Sequence, residues 1–203
     1  MSATEATGPS EPVHRETSPF GRVRRVASLT GRMLGAAKLS AATYEEVEAD
    51  ATATPQAVLV VVLAAIAGGV SAIRATGVVG LALAGLASLL GWYVWAFVTF
   101  LVGTRLLRGA RTEADLGQLL RTVGFSAAPG VIRVLGIVPV LDRPVSLLAS
   151  LWMLVSMVVA VRQALDYDTT GRAIVVCVIG FVLNFVLLVA LGALVGVPVI
   201  VAP

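Results

Sequence analysis

Four long stretches of this chain contain no charged residue, and they limit its possible folds more than any other feature. The stretches cover residues 51–73, 75–104, 144–161 and 173–203. A helix of about 20 apolar residues crosses the roughly 30 Å hydrocarbon core of a bilayer, where each backbone amide must find its partner within its own helix. The sequence therefore predicts an all-α, polytopic integral membrane protein surrounded by the lipid bilayer.

The composition agrees with this class, because 58% of the residues are hydrophobic, only 13% are charged and the mean hydropathy is +0.93. A soluble domain has about 25% charged residues. The net charge of +3 and the isoelectric point near 9.6 would suit nucleic acid, but the basic residues lie mostly between the apolar stretches. There they act as topology signals, so we expect no nucleic-acid partner.

Three regions are predicted along the chain. Residues 1–19 are polar and contain three prolines, which predicts a disordered tail. Residues 20–50 are predicted to form a basic amphipathic helix and then an acidic pre-membrane helix, both cytoplasmic. Residues 51–203 are predicted to form a domain of five transmembrane helices.

The basic helix has two possible positions. Apolar residues recur at steps of three and four between Phe20 and Leu39, while Arg22, Arg25 and Arg32 fall on another face. This pattern is typical of a helix that lies on an anionic leaflet. A solvated helix that packs on the protein's own loops is the alternative, and the sequence leaves both open.

A short acidic segment, residues 43–50, connects the basic helix to the first span. Charged side chains at this density usually face solvent, so we expect an exposed helix. Its candidate cytoplasmic contact residues are Tyr44, Glu45, Glu46 and Glu48.

Five spans are predicted, and the third is the weakest. They cover about residues 55–73, 77–102, 118–140, 144–165 and 173–197. The third contains Arg121, Pro129, Arg133 and several glycines. The sequence leaves open whether it is straight, kinked or re-entrant.

The distribution of basic residues predicts the orientation. With five spans and a cytoplasmic N-terminus, 12 of the 15 basic residues lie inside, namely Arg15, Arg22, Arg24, Arg25, Arg32, Lys38, Arg105, Arg108, Arg111, Arg121, Arg162 and Arg172. Positive loops are retained in the cytoplasm, so the N-terminus is predicted inside and the C-terminus outside. A re-entrant third region would produce the same split, so the charges do not decide the number of spans.

The third region also carries a short motif, in which Gly124, Phe125 and Pro129 form G-F-x-x-x-P. Together with the acidic approach, the weak third span and the Arg162 exit from the fourth, this resembles the Ypt-interacting protein (Yip) family over about residues 44–197. The resemblance implies a cytoplasmic N-terminus and five spans. Eukaryotic members carry G-Y-x-x-x-P here and a D-L-x-G-P element that this chain lacks. They bind prenylated Rab-type GTPases in vesicle traffic.

The chain looks more like the divergent prokaryotic branch of that family, which implies the plasma membrane. We therefore expect a non-enzymatic adaptor or membrane-organising factor with an unidentified membrane or cytoplasmic protein partner. A transporter of small molecules or ions, or an accessory subunit of one, is the alternative.

Catalysis inside the membrane is not expected, because hydrolysis there needs an activated nucleophile or a metal. The one histidine, His14, lies in the tail, and Ser126 has no positioned base in the sequence. The single cysteine, Cys177, excludes an intramolecular disulfide and a thiolate cluster. We expect no enzyme activity, no cofactor and no metal.

Two polar residues inside the spans keep the transport hypothesis open, since such residues are costly in lipid and often mark a pathway. Arg133 either extends to the outer interface or faces inward, towards Asn184, Asp142 or carbonyls freed near Pro129. Asn184 is most often an interhelical hydrogen-bonding residue.

Small residues also recur at four-residue spacing within the predicted spans. Gly192 and Gly196 form one such pair, and Gly80, Ala84 and Ser88 form a second series. This spacing permits close helix approach, either within one molecule or in a homo-oligomer.

Overall fold

The computed structural model describes residues 28–70, 73–109 and 112–195. The predicted tail and the first part of the predicted basic helix lie outside these ranges. The described residues form seven α-helices: α1 (Leu29–Ala37), α2 (Ala41–Ala49), α3 (Thr54–Gly69), α4 (Ile73–Leu101), α5 (Leu116–Phe125), α6 (Pro139–Ala164) and α7 (Thr170–Val195). Two 3-10 segments, Ala51–Ala53 and Ala128–Ile137, and one π-helical turn, Val102–Leu106, extend this framework. No β-strand occurs among the described residues.

Each predicted span corresponds to an apolar helical segment. Four are long and apolar enough to cross a membrane, namely Ala51–Gly69, Gly77–Leu106, Leu116–Ile137 and Pro139–Ala164. A shorter apolar helix covers Thr170–Val186. Large apolar side chains such as Leu90, Leu147 and Phe181 are exposed, which suits contact with lipid. The protein is therefore an all-α, polytopic membrane protein.

The third span changes from an α-helix to a 3-10 helix in its middle. The α-helix ends at Phe125, and after a short turn the chain continues as a 3-10 helix, Ala128–Ile137. Pro129 has no N–H to continue the α-helical hydrogen bonds, and its ring would clash with the preceding turn. The third span therefore consists of two helical pieces, α5 and the 3-10 helix that precedes α6 in the chain.

The low hydropathy of this third span has a packing explanation. Its most apolar window is 56% buried, compared with 33%, 6% and 22% for the other three long spans. Its 3-10 half packs between α3 and α6. Because protein rather than lipid surrounds it, the span tolerates polar residues and glycine.

The turn between the first two spans depends on a glycine. Gly77 interrupts helical geometry near the start of α4, with φ of +64°. This left-handed conformation carries little steric cost for glycine because it lacks a Cβ. The second long apolar span therefore begins at Gly77.

The fourth span begins earlier than its apolar run suggests. Helix α6 starts at Pro139 and contains Pro144 within it. Pro139 occupies the first helical turn, where a missing N–H costs nothing. Asp142 lies in that same first turn, where a carboxylate suits the positive end of the helix dipole.

The segment before the spans is a pair of short helices, α1 and α2, here called the N-terminal hairpin (residues 28–50). Ser28 caps α1 by accepting a hydrogen bond from the Gly31 amide, and Ser40 caps α2 by accepting one from the Thr43 amide. Leu39 adopts a positive φ of 60° between the two helices. The hairpin packs against α5, α6 and the 3-10 half of the third span.

Candidate functional site

Tyr44 joins the N-terminal hairpin to the membrane helices. Its side chain is 0% exposed, and its Oη lies 2.8 Å from Ser156 Oγ on α6. Burial raises the pKa of the Tyr44 hydroxyl to about 12, and the Ser156 hydrogen bond opposes this shift. Tyr44 therefore lies inside the protein and not at the surface, where a contact residue for a partner would lie.

Arg32 is also buried, which corrects its placement on an exposed basic face. Only 2% of it is exposed, and its Nη2 lies 2.9 Å from Glu46 Oε1 and 2.5 Å from Asp50 Oδ2. Nη1 donates to Gln56 Oε1 at 3.0 Å. A buried guanidinium needs such partners because an unpaired charge is costly. Arg32 thus connects α1, α2 and α3.

Asp50 ends the hairpin and begins the first span. Its Oδ1 accepts hydrogen bonds from the hydroxyl and the amide of Thr52. The Thr52 hydroxyl first and then Arg32 lower the pKa of Asp50 to about 2. The carboxylate is therefore charged at neutral pH and stabilises the 3-10 turn ahead of α3.

Arg121 on α5 stabilises the C-terminal end of α2. Its Nε donates to the backbone oxygens of Val47 at 2.9 Å and Glu48 at 3.1 Å, and its Nη2 also donates to the Glu48 oxygen. The last carbonyls of a helix have no partner within it, and a cation is favourable there. From the sequence, Arg121 was predicted only to be a topology signal. The available clue to its role was that it lies inside a weakly apolar segment.

The three glutamates of the predicted contact set occupy different environments. Glu45 is exposed and accepts a hydrogen bond from Gln163 at 2.9 Å. Glu46 is paired with Arg32. Glu48 is half-buried, and desolvation first and then nearby Asp166 raise its pKa to about 7. Glu45 is the member of this set that faces outward without a charged partner among the described residues.

A polar groove of about 550 Å³ opens beside Glu45. It is lined by α2, the end of α6 and the loop that leads to α7, through Glu45, Arg162, Gln163, Asp166, Tyr167 and Asp168. Arg162 donates to the backbone oxygens of Tyr167 and Asp168 and to the Thr170 hydroxyl. The lining therefore contains three carboxylates and one guanidinium, and its net charge is negative.

Tyr167 anchors the α6–α7 loop that lines this groove. Its hydroxyl interacts with the backbone oxygens of Gly103 at 3.1 Å and Leu107 at 2.8 Å. As a single hydroxyl proton serves both oxygens, the two contacts share one donor. They hold the α6–α7 loop against the end of the second span.

The G-F-x-x-x-P motif has a packing role. A Cβ built on Gly124 would lie 2.8 Å from the Ala57 Cβ, so α5 and α3 touch at this point. Phe125 is fully buried in the hydrophobic cluster that also contains Tyr44. Pro129 begins the 3-10 half of the span. The motif therefore positions the helices on which the hairpin lies.

The two intramembrane polar candidates do not meet. Arg133 is half-buried, and its Nη2 donates to Ser150 Oγ at 2.8 Å. Its side chain passes over Gly68, whose added Cβ would lie 3.6 Å from Arg133 Cδ. Asn184 instead lines a separate cavity. Arg133 is thus a contact between the third span, α3 and α6.

The cavity beside Asn184 measures about 310 Å³. It is lined by Val61, Ala64, Ser88, Gly91, Trp92, Trp95, Val123, Ser126, Ala127, Met153, Met157 and Asn184. The Ser126 hydroxyl donates to the Val123 backbone oxygen at 2.7 Å, which gives this serine a structural partner. Within the described ranges, no cluster of three His, Cys, Asp or Glu side chains could hold a metal ion.

The small-residue pairs are placed as follows. Ser88 of the series Gly80, Ala84 and Ser88 lines the cavity, and Ala84 is exposed. Gly196, which pairs with Gly192, lies outside the described residues. The homo-oligomer therefore stays a prediction.

The fold and these contacts define a polytopic α-helical membrane protein in which an N-terminal helical hairpin is part of the folded bundle. The family model of the Yip1 domain matches residues 40–191. The chain belongs to this family, which confirms the resemblance. The match begins at Ser40, the capping residue of α2. No curated protein and no solved structure matches the chain.

Proposed function

We propose that this protein is a non-enzymatic adaptor or membrane-organising factor of a prokaryotic plasma membrane, and that the groove beside Glu45 is its protein contact surface. The observation that carries the proposal is the construction of the groove. It combines a residue of α2 with residues of α6 and the following loop. A partner bound there would contact the hairpin and the membrane helices at once.

The orientation of the chain supports a cytoplasmic position for this groove. Arg105 and Arg108 follow the second span, and Arg162 and Arg172 flank the α6–α7 loop. These basic residues share an end of the bundle with the hairpin, and basic loops are retained in the cytoplasm. The C-terminus then lies outside.

The charges of the groove indicate the chemistry of the partner. Glu45, Asp166 and Asp168 contribute three carboxylates and Arg162 contributes one guanidinium, so the lining is negative overall. Complementary charge increases the rate of association and the specificity of a complex. We therefore expect a membrane or cytoplasmic protein that presents a basic segment.

The test is crosslinking in native membranes, followed by purification in mild detergent and mass spectrometry. The variant combines Glu45→Gln with Asp166→Asn and Asp168→Asn. Glu46 and Glu48 are left unchanged, because Glu46 pairs with Arg32 and Glu48 is half-buried. The matched control is Glu113→Gln, an exposed carboxylate ahead of α5.

A partner recovered with the wild type and with Glu113→Gln, but lost from the triple variant, supports this surface. Equal recovery of the partner from all three proteins contradicts it. The folded state of each protein is checked by its elution in size-exclusion chromatography.

Transport has less support than the adaptor role. Arg133 binds Ser150, whereas Asn184 lines a cavity that Arg133 does not reach. The two polar residues therefore do not line a common path. Flux of a small solute or ion through wild-type protein in liposomes, reduced by Arg133→Ala, would reverse this preference.

A further inference from the structure

The cavity beside Asn184 lies among the membrane helices. Residues of α3, α4, α5, α6 and α7 all contribute to its lining. Its volume of about 310 Å³ is at the lower end of the range of about 300 to 1,000 Å³ that is usual for small-molecule sites. The cavity is thus large enough for a compact molecule or for one segment of a lipid.

The polar groups around the cavity can donate hydrogen bonds. They are the Asn184 amide and the Ser88 hydroxyl, both in the lining and both able to donate. A donor without an acceptor inside a membrane costs free energy. A ligand with a carbonyl oxygen would accept a hydrogen bond from Asn184.

The lining excludes a charged ligand. It contains no aspartate, glutamate, lysine, arginine or histidine. A bare charge at this depth would have no partner and would be strongly disfavoured. The ligand is therefore uncharged.

The remaining walls suit an apolar or flat body. Trp92 and Trp95 supply aromatic surfaces, and Met153 and Met157 supply flexible thioethers. Aromatic rings and methionine sulfur both pack well against conjugated rings and hydrocarbon. These residues favour a molecule that is already dissolved in the bilayer.

Gly91 marks an open part of the cavity wall. It is exposed, and a Cβ built on it would meet nothing within 4 Å. A larger side chain at this position would project into free space without a clash. Because Gly91 belongs to the lining, we expect a leucine at this position to narrow the cavity opening without disturbing helix packing.

We propose that this cavity binds an uncharged membrane lipid through its carbonyl oxygen. Two membrane components carry this chemistry, the ring of an isoprenoid quinone and the ester of a glycerolipid. Asn184 donates to the carbonyl, and the tryptophan and methionine side chains enclose the adjoining ring or chain. This site is separate from the groove beside Glu45, so it does not depend on the adaptor function.

The experiment uses the purified full chain in detergent micelles and follows tryptophan emission. Two of its three tryptophans line the cavity, so a bound quencher there lowers most of the signal. One probe is decylbenzoquinone, and the other is a monoacylglycerol with a brominated chain. The two probes distinguish a ring carbonyl from an ester carbonyl.

The cavity variants are Gly91→Leu and Asn184→Leu. The matched control is Gly85→Leu, because Gly85 lies on the same helix, also faces open space and does not line the cavity. Circular dichroism and size-exclusion chromatography establish that each variant is folded. If Asn184→Leu does not fold, Gly91→Leu decides the result.

Saturable quenching of wild type and Gly85→Leu by either probe, with binding about tenfold weaker in Gly91→Leu, supports the site. Saturation by the quinone alone assigns a quinone, and saturation by the monoacylglycerol alone assigns a glycerolipid. Quenching that rises linearly with both probes overturns the proposal. Equal binding by Gly91→Leu and wild type also overturns it.

Discussion

Tyr44 Oη and Ser156 Oγ lie 2.8 Å apart in the buried interior, although 112 residues separate them in the chain. Both hydroxyls are also 3.3 Å from the backbone oxygen of Ala36. These three groups join α1, α2 and α6 at one point. The N-terminal hairpin is thus part of the folded domain and not a mobile extension of it.

Removal of the tyrosine hydroxyl tests this connection. We expect Tyr44→Phe to lower the free energy of unfolding by about 1 kcal/mol, the usual net contribution of one hydrogen bond. Unfolding in mixed micelles with increasing denaturing detergent measures the change. Tyr93→Phe is the control, because Tyr93 is 50% exposed. Equal stability of Tyr44→Phe and wild type would show that the contact contributes nothing.

Arg121 provides a second test of hairpin docking. Replacement by methionine keeps most of the side-chain volume but removes the donors to the Val47 and Glu48 oxygens. Hydrogen bonds from charged groups contribute about 1.5–3 kcal/mol each, so we expect a loss of at least about 2 kcal/mol and faster proteolysis of the hairpin.

The matched control for this prediction is Arg108→Met. Arg108 is exposed. Its replacement also removes one of the positive charges used to predict the orientation, but it does not remove a helix cap. Identical proteolysis rates for the two variants would contradict the capping role of Arg121.

The family motif makes a prediction about close packing. Gly124→Ala would bring a methyl group within 2.8 Å of the Ala57 Cβ. Overpacking of this kind costs about 1–3 kcal/mol. Gly91→Ala is the control, because open space surrounds that glycine, and we expect it to be neutral or slightly stabilising. Unfolding of both variants in mixed micelles measures the difference, and a stabilised Gly124→Ala protein would refute the close contact.

Glu48 makes a prediction about pH. Its folded-state pKa is raised to about 7, so the folded protein retains a proton that the unfolded chain releases near its ordinary pKa of about 4.3. The stability that this retained proton provides is fully present below about pH 4.3 and is lost as the pH rises to about 7.

We therefore expect Glu48→Gln to be more stable than wild type at pH 8 by on the order of 1–3 kcal/mol, with no gain at pH 4. Unfolding in mixed micelles at the two pH values measures this. Asp50 does not interfere, because it is present in both proteins and its contribution cancels when they are compared at the same pH. Glu113→Gln is the control, and an equal gain in that variant would remove the assignment to Glu48.

The all-α polytopic class was predictable from the sequence because the ability of a segment to span a membrane depends on local properties. The charge-free stretches and the motif Gly124, Phe125 and Pro129 were sufficient to predict an all-α polytopic protein of this family. The start of α6 was harder to predict. Pro139 falls in the predicted third span, and Asp142 and Arg143 fall in the link after it, yet all three lie within α6.

The hairpin residues were harder still. Tyr44, Glu46 and Glu48 lie within five residues of one another on an acidic helix. A segment of this composition is typical of a solvated surface. The periodicity of a helix shows which residues share a face, but it does not show what covers that face. Here α5 and α6 cover it, and both come from distant parts of the chain.

The sequence by itself determined that this protein lies in a lipid bilayer and is helical, because hydrophobic length and backbone hydrogen bonding decide which segments enter a bilayer. Its motif and the order of its segments also indicated its family. The tertiary structure decided the environment of each polar residue. It buried Arg32 among carboxylates, used Arg121 to cap α2 and separated Arg133 from Asn184. These outcomes depend on contacts between distant segments, and a one-dimensional pattern does not encode which of them meet.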